Sequence, residues 1–188
     1  GTIALDGSAT NGIYLSTNDA APSSLENGTI EFRGSETNSK NGLYIYRTTT
    51  LSNLTVDGSH LDPAVSVTAV YNSCSNSTRT VTIESGTYKA NKESGYAVRG
   101  SNNKTYIQGG TFNGVVQTFS GLISGGSFSV EPAAQYAVSG KVFQLDSTDN
   151  YYKLVDGSYV GRIGNVGYQS WDELFEAVPE GKNTTICK

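Results

Sequence analysis

The stretches "YIQGGTFNG" (106–114) and "LISGGSFSV" (122–130) are two versions of one short phrase. Each has two apolar residues, one polar residue, a Gly-Gly pair, Thr or Ser, and then Phe. The apolar residues and the Phe favour strands, and the glycines between them favour a tight corner. A chain that repeats a strand and a corner at so short an interval is typical of a repeat protein whose units stack on one another.

Related phrases occur upstream, at "TIALDGS" (2–8), "TIEFRGS" (29–35), "LTVDGS" (54–59) and "VTIESGTY" (81–88). When the phrases are aligned, one apolar position recurs roughly every 25 residues, with a shorter last interval, which is a period typical of solenoids. This position is occupied by Leu5, Phe32, Val56, Ile83, Ile107 and Ile123. We expect these side chains to form one column in a shared core.

Each repeat also contains a second apolar segment and a shorter third one. The second reads "NGIYLS" (11–16), "NGLYIY" (41–46), "VSVTAVY" (65–71), "GYAVRG" (95–100) and "NGVVQ" (113–117). The third reads "SSLEN", "TTLSN", "NSTRT", "SNNKT" and "QTFSG". Three short strands per repeat predict an all-β chain that forms a single right-handed parallel β-helix of five or six coils over residues 1–130.

The pattern changes after residue 130. Two alternating runs, 136–145 and 151–155, are separated by "DSTDN", so residues 131–160 are predicted to form a β-hairpin that closes the stack. Ser170 and Glu173 form a capping box for a short helix, and "NTTICK" is predicted to be one more strand. Residues 161–188 are therefore predicted to be a small strand–helix–strand, βαβ-like cap. The residues that keep the helical period are Trp171, Leu174, Phe175 and Val178.

Composition argues against several classes of function. The net charge is −4 and no run of Lys or Arg occurs, so nucleic acid is not an expected partner. No apolar run approaches the roughly 18 residues of a membrane span. Cys74, Cys187 and His60 are too few for a zinc site, lone thiols are favoured over a disulfide, and no metal or cofactor is expected. The chain lacks Met, which favours a part of a larger protein.

The C-terminal half resembles a known class of protein. "IGNVGYQSWDELFEAVPEGKNTTI" (163–186) is similar to a segment of large bacterial surface proteins that opens or caps a β-helix, although Trp171 replaces the usual Leu and Phe175 falls near an Ala or Ile position. "ISGGSFSVEPAAQYAVSG" (123–140) resembles coils and hairpins of the same proteins, which are frequent among gut anaerobes. The resemblance covers residues 106–188. It implies pectate-lyase-like topology in a secreted or cell-surface bacterial protein, and no particular activity. The positions that keep the pattern are Ile163, Gly164, Tyr168, Glu173, Ala177, Gly181, Thr185 and Ile186.

Polysaccharide-cleaving enzymes need carboxylates that converge on one face. The aligned phrases place Asp57 and Glu84 at the same outward step of adjacent coils, so this pair is the candidate for catalysis if the chain is an enzyme. Arg33 would lie between Asp6 and Asp57, however, and this alternation favours a ladder of surface charges instead. The aligned outward positions are Asp6, Arg33, Asp57, Glu84, Gln108 and Ser124.

Two further groups of polar residues are better explained as turns. Ser59, His60 and Asp62 are neighbours of Asp57 in "DGSHLD", but residues this close in sequence seldom have the geometry of a catalytic triad. Asn-x-Thr occurs five times and fits left-handed corners that precede a strand better than it fits glycan attachment. These asparagines are Asn27, Asn53, Asn76, Asn103 and Asn183.

Tyrosines supply the candidate binding site. The alternation in "GIYLS" and "GLYIY" places the aliphatic residues on one side of the strand and Tyr14, Tyr44 and Tyr46 on the other. The aliphatic residues belong in the core, so the tyrosines face outward. Packing beneath long corners is one interpretation, and the one the corner lengths favour. The other is a platform on which sugar rings stack.

Repetition with variable corners suits a spacer or a broad contact surface better than a preorganised active site. The sequence therefore predicts a non-catalytic, adhesin-like module of an extracellular bacterial protein that contacts polysaccharide or host or cell-surface glycans. The alternative is a carbohydrate-active β-helix enzyme, either a polysaccharide lyase or a glycoside hydrolase.

Overall fold

A computed structural model of the chain describes residues 1–5, 9–16, 21–33, 38–74, 78–100, 104–179 and 184–187. The fold is nearly all β, with one short helix, and its main part is a parallel β-solenoid of about four turns. This confirms the predicted parallel β-helix.

Four coils contain three strands each. The first has β1 (Thr2–Leu5), β2 (Asn11–Leu15) and β3 (Ser23–Glu26), and the second has β4 (Thr29–Phe32), β5 (Lys40–Ile45) and β6 (Thr49–Ser52). The third has β7 (Leu54–Asp57), β8 (Val67–Asn72) and β9 (Val81–Ile83), and the fourth has β10 (Gly86–Lys89), β11 (Tyr96–Gly100) and β12 (Thr105–Ile107). A reduced coil follows, with β13 (Thr111–Asn113), β14 (Val115–Gln117) and a bridge at Ile123, and then β15 (Ser127–Phe128).

The coils stack so that each strand pairs in parallel with its equivalent in the next coil. Sheet A contains β1, β4, β7, β10, β13 and β15, sheet B contains β2, β5, β8, β11 and β14, and sheet C contains β3, β6, β9 and β12. The expected five or six coils was therefore an overestimate. "VTIESGTY" and "YIQGGTFNG" each contain two strands, one of sheet C and one of sheet A, joined by a glycine corner.

The single column of apolar anchors was also wrong, because the aligned residues divide between two sheets. In sheet A, Leu5 pairs with Phe32 of β4. Val56 pairs instead with Ile30, which precedes Phe32 by two residues on β4. Ile83 lies in sheet C instead. Strands of sheets A and C share one sequence pattern, alternating apolar residues before a glycine corner, so the pattern alone does not distinguish them. The sheet C column is Leu51, Ile83, Ile107 and Ile123.

Aromatic rings fill the core behind the C-terminal half of sheet A. The Phe112 ring stacks on Tyr88, with 5.4 Å between centroids, and on Phe128, with 5.1 Å between centroids. All three side chains are fully buried. The Tyr88 hydroxyl donates a hydrogen bond of 2.9 Å to the carbonyl oxygen of Ser85, so the one polar atom in this stack is satisfied.

The predicted hairpin is present as β16 (Lys141–Asp146) and β17 (Tyr151–Asp156), and β17 pairs antiparallel with β15 at the end of sheet A. Phe143 packs edge-on against Phe128, with 5.6 Å between ring centroids. The hairpin thus closes both the sheet edge and the aromatic stack.

The C-terminal cap contains β18 (Gly161–Ile163), β19 (Val166–Tyr168), α1 (Trp171–Glu176) and β20 (Ile186–Cys187). Strand β18 lies between β19 and β20 and is antiparallel to both, so the strands on either side of α1 run parallel, as a βαβ-like unit requires. The Ser170 side chain accepts a hydrogen bond from the Glu173 backbone N–H, which confirms Ser170 as the N-cap. No helix among the described residues combines the length and apolar character that crossing a membrane requires.

Candidate functional site

The outer face of sheet B carries a row of tyrosines. Tyr14, Tyr44 and Tyr71 are direct partners on β2, β5 and β8. Tyr46 follows β5 and lies on the same side. The aliphatic neighbours Leu43 and Ile45 are fully buried, whereas the Tyr14 side chain is 56% exposed and the other three are half-buried. The outward orientation predicted for the tyrosines is therefore confirmed. We call Tyr14, Tyr44, Tyr46 and Tyr71 the tyrosine surface.

Tyr44 is the centre of this surface. Its ring centroid lies 5.6 Å from that of Tyr14, 5.1 Å from that of Tyr46 and 4.8 Å from that of Tyr71. Tyr14 and Tyr44 are stacked, whereas Tyr71 meets Tyr44 edge-on. Each such pair contributes about 0.5–1.5 kcal/mol beyond area burial, so the rings hold one another in place.

The hydroxyl groups of the tyrosine surface form a small polar network. The Tyr44 and Tyr46 hydroxyl oxygens are 3.3 Å apart. Hydrogen bonding with Ser73 lowers the pKa of Tyr44, but the Tyr46 hydroxyl and burial outweigh it and leave that pKa raised. Hydrogen bonds with Tyr44 and then Ser73 lower the pKa of Tyr46. The exposed rim of the surface therefore offers phenol groups able to exchange hydrogen bonds with a polar ligand.

An arginine continues the row. Arg99 on β11 is the direct partner of Tyr71, and Gln117 on β14 is the partner of Arg99. The guanidinium carbon of Arg99 lies 5.6 Å from the Tyr71 ring centroid and 5.0 Å from that of Tyr96. Both distances fall within the range of cation–π attraction. Arg99 was not among the binding residues predicted from the sequence. The alignment of "VTAVY" with "GYAVRG" could have found it, because Arg99 occupies the position of Tyr71.

A cleft of about 280 Å³ opens at the C-terminal end of sheet B. Its polar lining comes from Tyr96 and Gln117 of sheet B and from Glu131, Tyr136 and Asn165, which follow the solenoid in sequence. Burial raises the pKa of Glu131 and of Tyr136. Gln117 belongs to both the row and the cleft, and Tyr96 of the cleft contacts Arg99 of the row, so the two features adjoin.

The candidate carboxylates Asp57 and Glu84 are not brought together. Asp57 ends β7 in sheet A, where it pairs with Lys89 of β10, whereas Glu84 follows β9 of sheet C. The backbone N–H of Glu84 donates to the Leu51 carbonyl oxygen, which continues the sheet C ladder. The expectation that Asp57 and Glu84 are neighbours on adjacent coils was wrong, because the alignment placed strands of two sheets in one column.

Asp57 is engaged in structural contacts. Its carboxylate lies 3.1 Å from Lys89 Nζ and accepts hydrogen bonds from the Ser59 hydroxyl at 2.5 Å and the Ser59 N–H at 3.0 Å. Partial burial opposes ionisation, but these hydrogen bonds and the Lys89 charge lower the pKa of Asp57. A carboxylate held in this ionised form is a poor general acid.

The charge ladder takes a different form from the one expected. Arg33, the residue after β4, pairs with Glu31 of that strand at 2.7 Å, and Glu31 is the cross-strand partner of Asp57. Asp6, the first member of the expected ladder, lies outside the described residues. Gln108 and Ser124 do continue the column of Glu84 along sheet C, since each donates its N–H to the preceding coil.

The turn interpretations of the other polar groups fit the structure. Asp57 holds Ser59 in a local turn, and His60 is exposed beside it. Asn27 and Asn53 adopt left-handed conformations, with φ of 55° and 49°, and the Asn53 side chain donates to that of Asn27 at 2.8 Å. The other three asparagines of this set, Asn76, Asn103 and Asn183, lie outside the described residues.

Cys74 is a buried free thiol, as expected, and burial raises its pKa. Within the described part of the chain, no group of three or more His, Cys, Asp and Glu residues has an arrangement able to hold a metal ion.

Comparison of the chain with known protein families, with curated proteins and with solved structures finds no match.

Proposed function

We propose that this chain is a non-catalytic β-solenoid module that binds carbohydrate through the tyrosine surface. The observation that carries the proposal is the in-register row Tyr14, Tyr44 and Tyr71 on the outer face of three neighbouring strands. A β-solenoid repeats every 4.7–4.9 Å or so along its axis. Successive rings are therefore offered at a spacing comparable to that of successive sugar rings in a linear glycan.

The chemistry of the row fits a sugar. Aromatic rings pack against the C–H faces of pyranose rings, and phenol hydroxyls exchange hydrogen bonds with sugar hydroxyls. Tyr14 is 56% exposed, which supports a surface open to a ligand. The contacts around Tyr44 fix the ring positions before a ligand arrives, which reduces the entropy lost on binding.

We place this module in an extracellular, adhesin-like protein of a bacterial cell surface, of the gut-anaerobe type with pectate-lyase-like topology, as part of a larger chain. The support is the resemblance of residues 106–188 to the coils, hairpins and caps of such proteins, together with the Ser-, Thr- and Asn-rich corners. The partner that this setting supplies is a polysaccharide or a host or cell-surface glycan.

The alternative, a polysaccharide lyase or glycoside hydrolase, gains no specific support. Asp57 and Glu84 lie on different sheets, and the carboxylate that does neighbour Asp57, Glu31, pairs with Arg33. A cleaving enzyme would need an acid and a base or nucleophile that are free to act on one bond.

The test is a glycan array probed with the intact chain and with three variants. Tyr14→Ala and Tyr44→Ala each remove one ring of the tyrosine surface. Tyr106→Ala is the matched control, because Tyr106 is a half-buried tyrosine on sheet C. Loss of about 0.5–1.5 kcal/mol per aromatic contact predicts binding weaker by about twofold to twelvefold for the first two variants, and unchanged binding for the control.

Recovery of the bound glycans then separates binding from cleavage. Intact glycan supports the binding module, whereas new reducing ends or unsaturated sugars, with or without calcium, would establish the enzyme. Absence of any binding, or equal weakening by all three substitutions, would contradict the proposal.

A further inference from the structure

Arg99 lies next to the tyrosine surface, on the following strand, and adds a positive charge to it. It occupies the place in the row that Tyr71 holds one coil earlier, and its side chain is exposed. Because Tyr71 contacts both Tyr44 and Arg99, a ring that stacks beside Tyr71 lies within one strand spacing of the guanidinium.

Two rings hold the Arg99 side chain. The guanidinium lies over Tyr71 and Tyr96, at 5.6 Å and 5.0 Å from their ring centroids. Stacking of this kind leaves the N–H groups at the edge of the guanidinium plane available as donors, and it restricts the rotamers of a long side chain. The guanidinium is thus positioned in advance for a planar acceptor.

The charge of Arg99 is not neutralised within the described part of the chain, where no acidic side chain comes within ion-pair distance of it. The five strands of sheet B contain no Asp or Glu, although the chain has a net charge of −4. The contrast is with sheet A, where Glu31 and Asp57 each have a basic partner.

Glu131 is the acidic residue that lines the cleft at this end of sheet B. It lines that cleft together with Tyr96 and Gln117, and burial raises its pKa. The strands that carry the tyrosine surface and Arg99 contain no Asp or Glu that would repel an incoming anion.

We infer that the tyrosine surface selects acidic carbohydrate, and that Arg99 receives the carboxylate or sulfate of a sugar ring stacked beside Tyr71. This inference rests on the proposed function. Guanidinium matches carboxylate and sulfate with paired N–H donors, and such charge-assisted hydrogen bonds are stronger than neutral ones. Arg99 therefore acts as the residue that determines specificity, while the tyrosines supply affinity for the sugar ring.

Titration calorimetry on the intact chain measures the affinity for three sugars of the same length. These are an oligouronate, its methyl ester and a sulfated neutral oligosaccharide. The ester keeps the sugar rings and removes the charge. We expect the oligouronate or the sulfated sugar to bind about tenfold more tightly than the ester, and the tighter of the two identifies the source of the anion.

Arg99→Gln should abolish this preference, so that the charged sugars bind no more tightly than the ester. Arg99→Lys, which keeps the charge without the paired donors, should retain only part of the preference. Arg33→Gln is the control, because it removes the same charge from sheet A and should leave the preference intact. Thermal unfolding of each variant verifies that the fold is retained.

The outcomes separate this inference from the function on which it rests. Equal binding of charged and uncharged sugars, still sensitive to Tyr44→Ala, would overturn the role of Arg99 and leave the tyrosine surface standing. Arg99→Gln weakening all three sugars equally would show that Arg99 only supports the neighbouring rings. Absence of binding to every sugar would overturn both proposals.

Discussion

Phe112 lies at the middle of three stacked rings, between Tyr88 and Phe128, and none of its surface is exposed. Its position follows from the phrase "GGTFNG", in which Thr111 and Asn113 are half-buried on the outer side and the residue between them faces the core. Recurrence of Phe in "GGSF" one coil later places Phe128 directly above it, since Phe112 and Phe128 are strand partners.

Phe112→Ala should therefore lower the free energy of unfolding by about 3–5 kcal/mol, because it removes a ring from both of its stacking partners and leaves a cavity. Phe119→Ala is the matched control. Its ring is 46% exposed, so we expect a much smaller loss. Chemical denaturation monitored by circular dichroism measures both. Equal losses for the two variants would contradict the ring stack.

The inward or outward orientation of most single residues could be predicted from the sequence, because a strand alternates its side chains strictly. Leu43, Ile45 and Tyr44 were all oriented correctly on this ground. Arg99 was missed because its importance depends on contacts with two tyrosines. Tyr71 lies on the neighbouring strand, and Tyr96 lies at another position of the strand that carries Arg99. Such contacts follow from the register between coils, which alternation does not determine.

At the scale of strands, close packing allows only glycine at some positions, and Gly42 is one of them. Gly42 on β5 lies directly over the core, and a Cβ atom there would overlap Val56 Cγ1 and lie 2.6 Å from the Ala69 carbonyl oxygen. Ala69 lies on β8, the neighbouring strand of sheet B, so the glycine permits the close approach of two backbones in this sheet.

Gly42→Ala should cost about 1–3 kcal/mol or more, because the clash involves backbone as well as a buried side chain. Gly28→Ala should be neutral or stabilising by up to about 1 kcal/mol, since the nearest atom to its added Cβ, Leu54 Cδ2, is at 3.5 Å. Thermal unfolding of the two variants provides the comparison. A Gly42→Ala chain as stable as Gly28→Ala would mean that β5 and β8 do not approach as described.

The sequence located most strands but did not assign all of them to sheets. "VTI" before Glu84 and "LTV" before Asp57 have the same pattern, yet they belong to β9 of sheet C and β7 of sheet A. Alternation has a period of two in every sheet, and corner lengths vary between coils. The sequence therefore did not determine to which of the three sheets each strand belongs. The error at this scale placed Asp57 beside Glu84 and so predicted a carboxylate pair that the structure does not contain.

At the scale of the whole molecule, one core extends from the first coil into the hairpin. Buried residues from Leu5 to Phe143 belong to a single hydrophobic cluster, and Tyr152 and Leu154 of β17 pack against it. The predicted boundaries at residues 130 and 160 stay predictions, although the antiparallel hairpin and the cap do begin after the last parallel strand, β15.

In the C-terminal cap, the helical spacing of the apolar residues does not show which of them are buried. Leu174 is fully buried, but Trp171 and Phe175, which share its apolar spacing, are 54% and 61% exposed and stack on each other. A helix of six residues presents only one turn and a half to its sheet, so a single side chain fills the available contact. The sequence predicted the helix and its N-cap correctly, and it did not show which apolar residues the sheet covers.

The proposed function requires carbohydrate to contact the outer face of sheet B, and NMR titration with the glycan bound most tightly on the array locates that contact. We predict that the largest backbone amide shifts occur at Tyr14, Tyr44, Tyr71 and Arg99, with sheets A and C little affected. Shifts concentrated around Asp57 and Lys89 on sheet A, or on the cap near Trp171, would contradict the account.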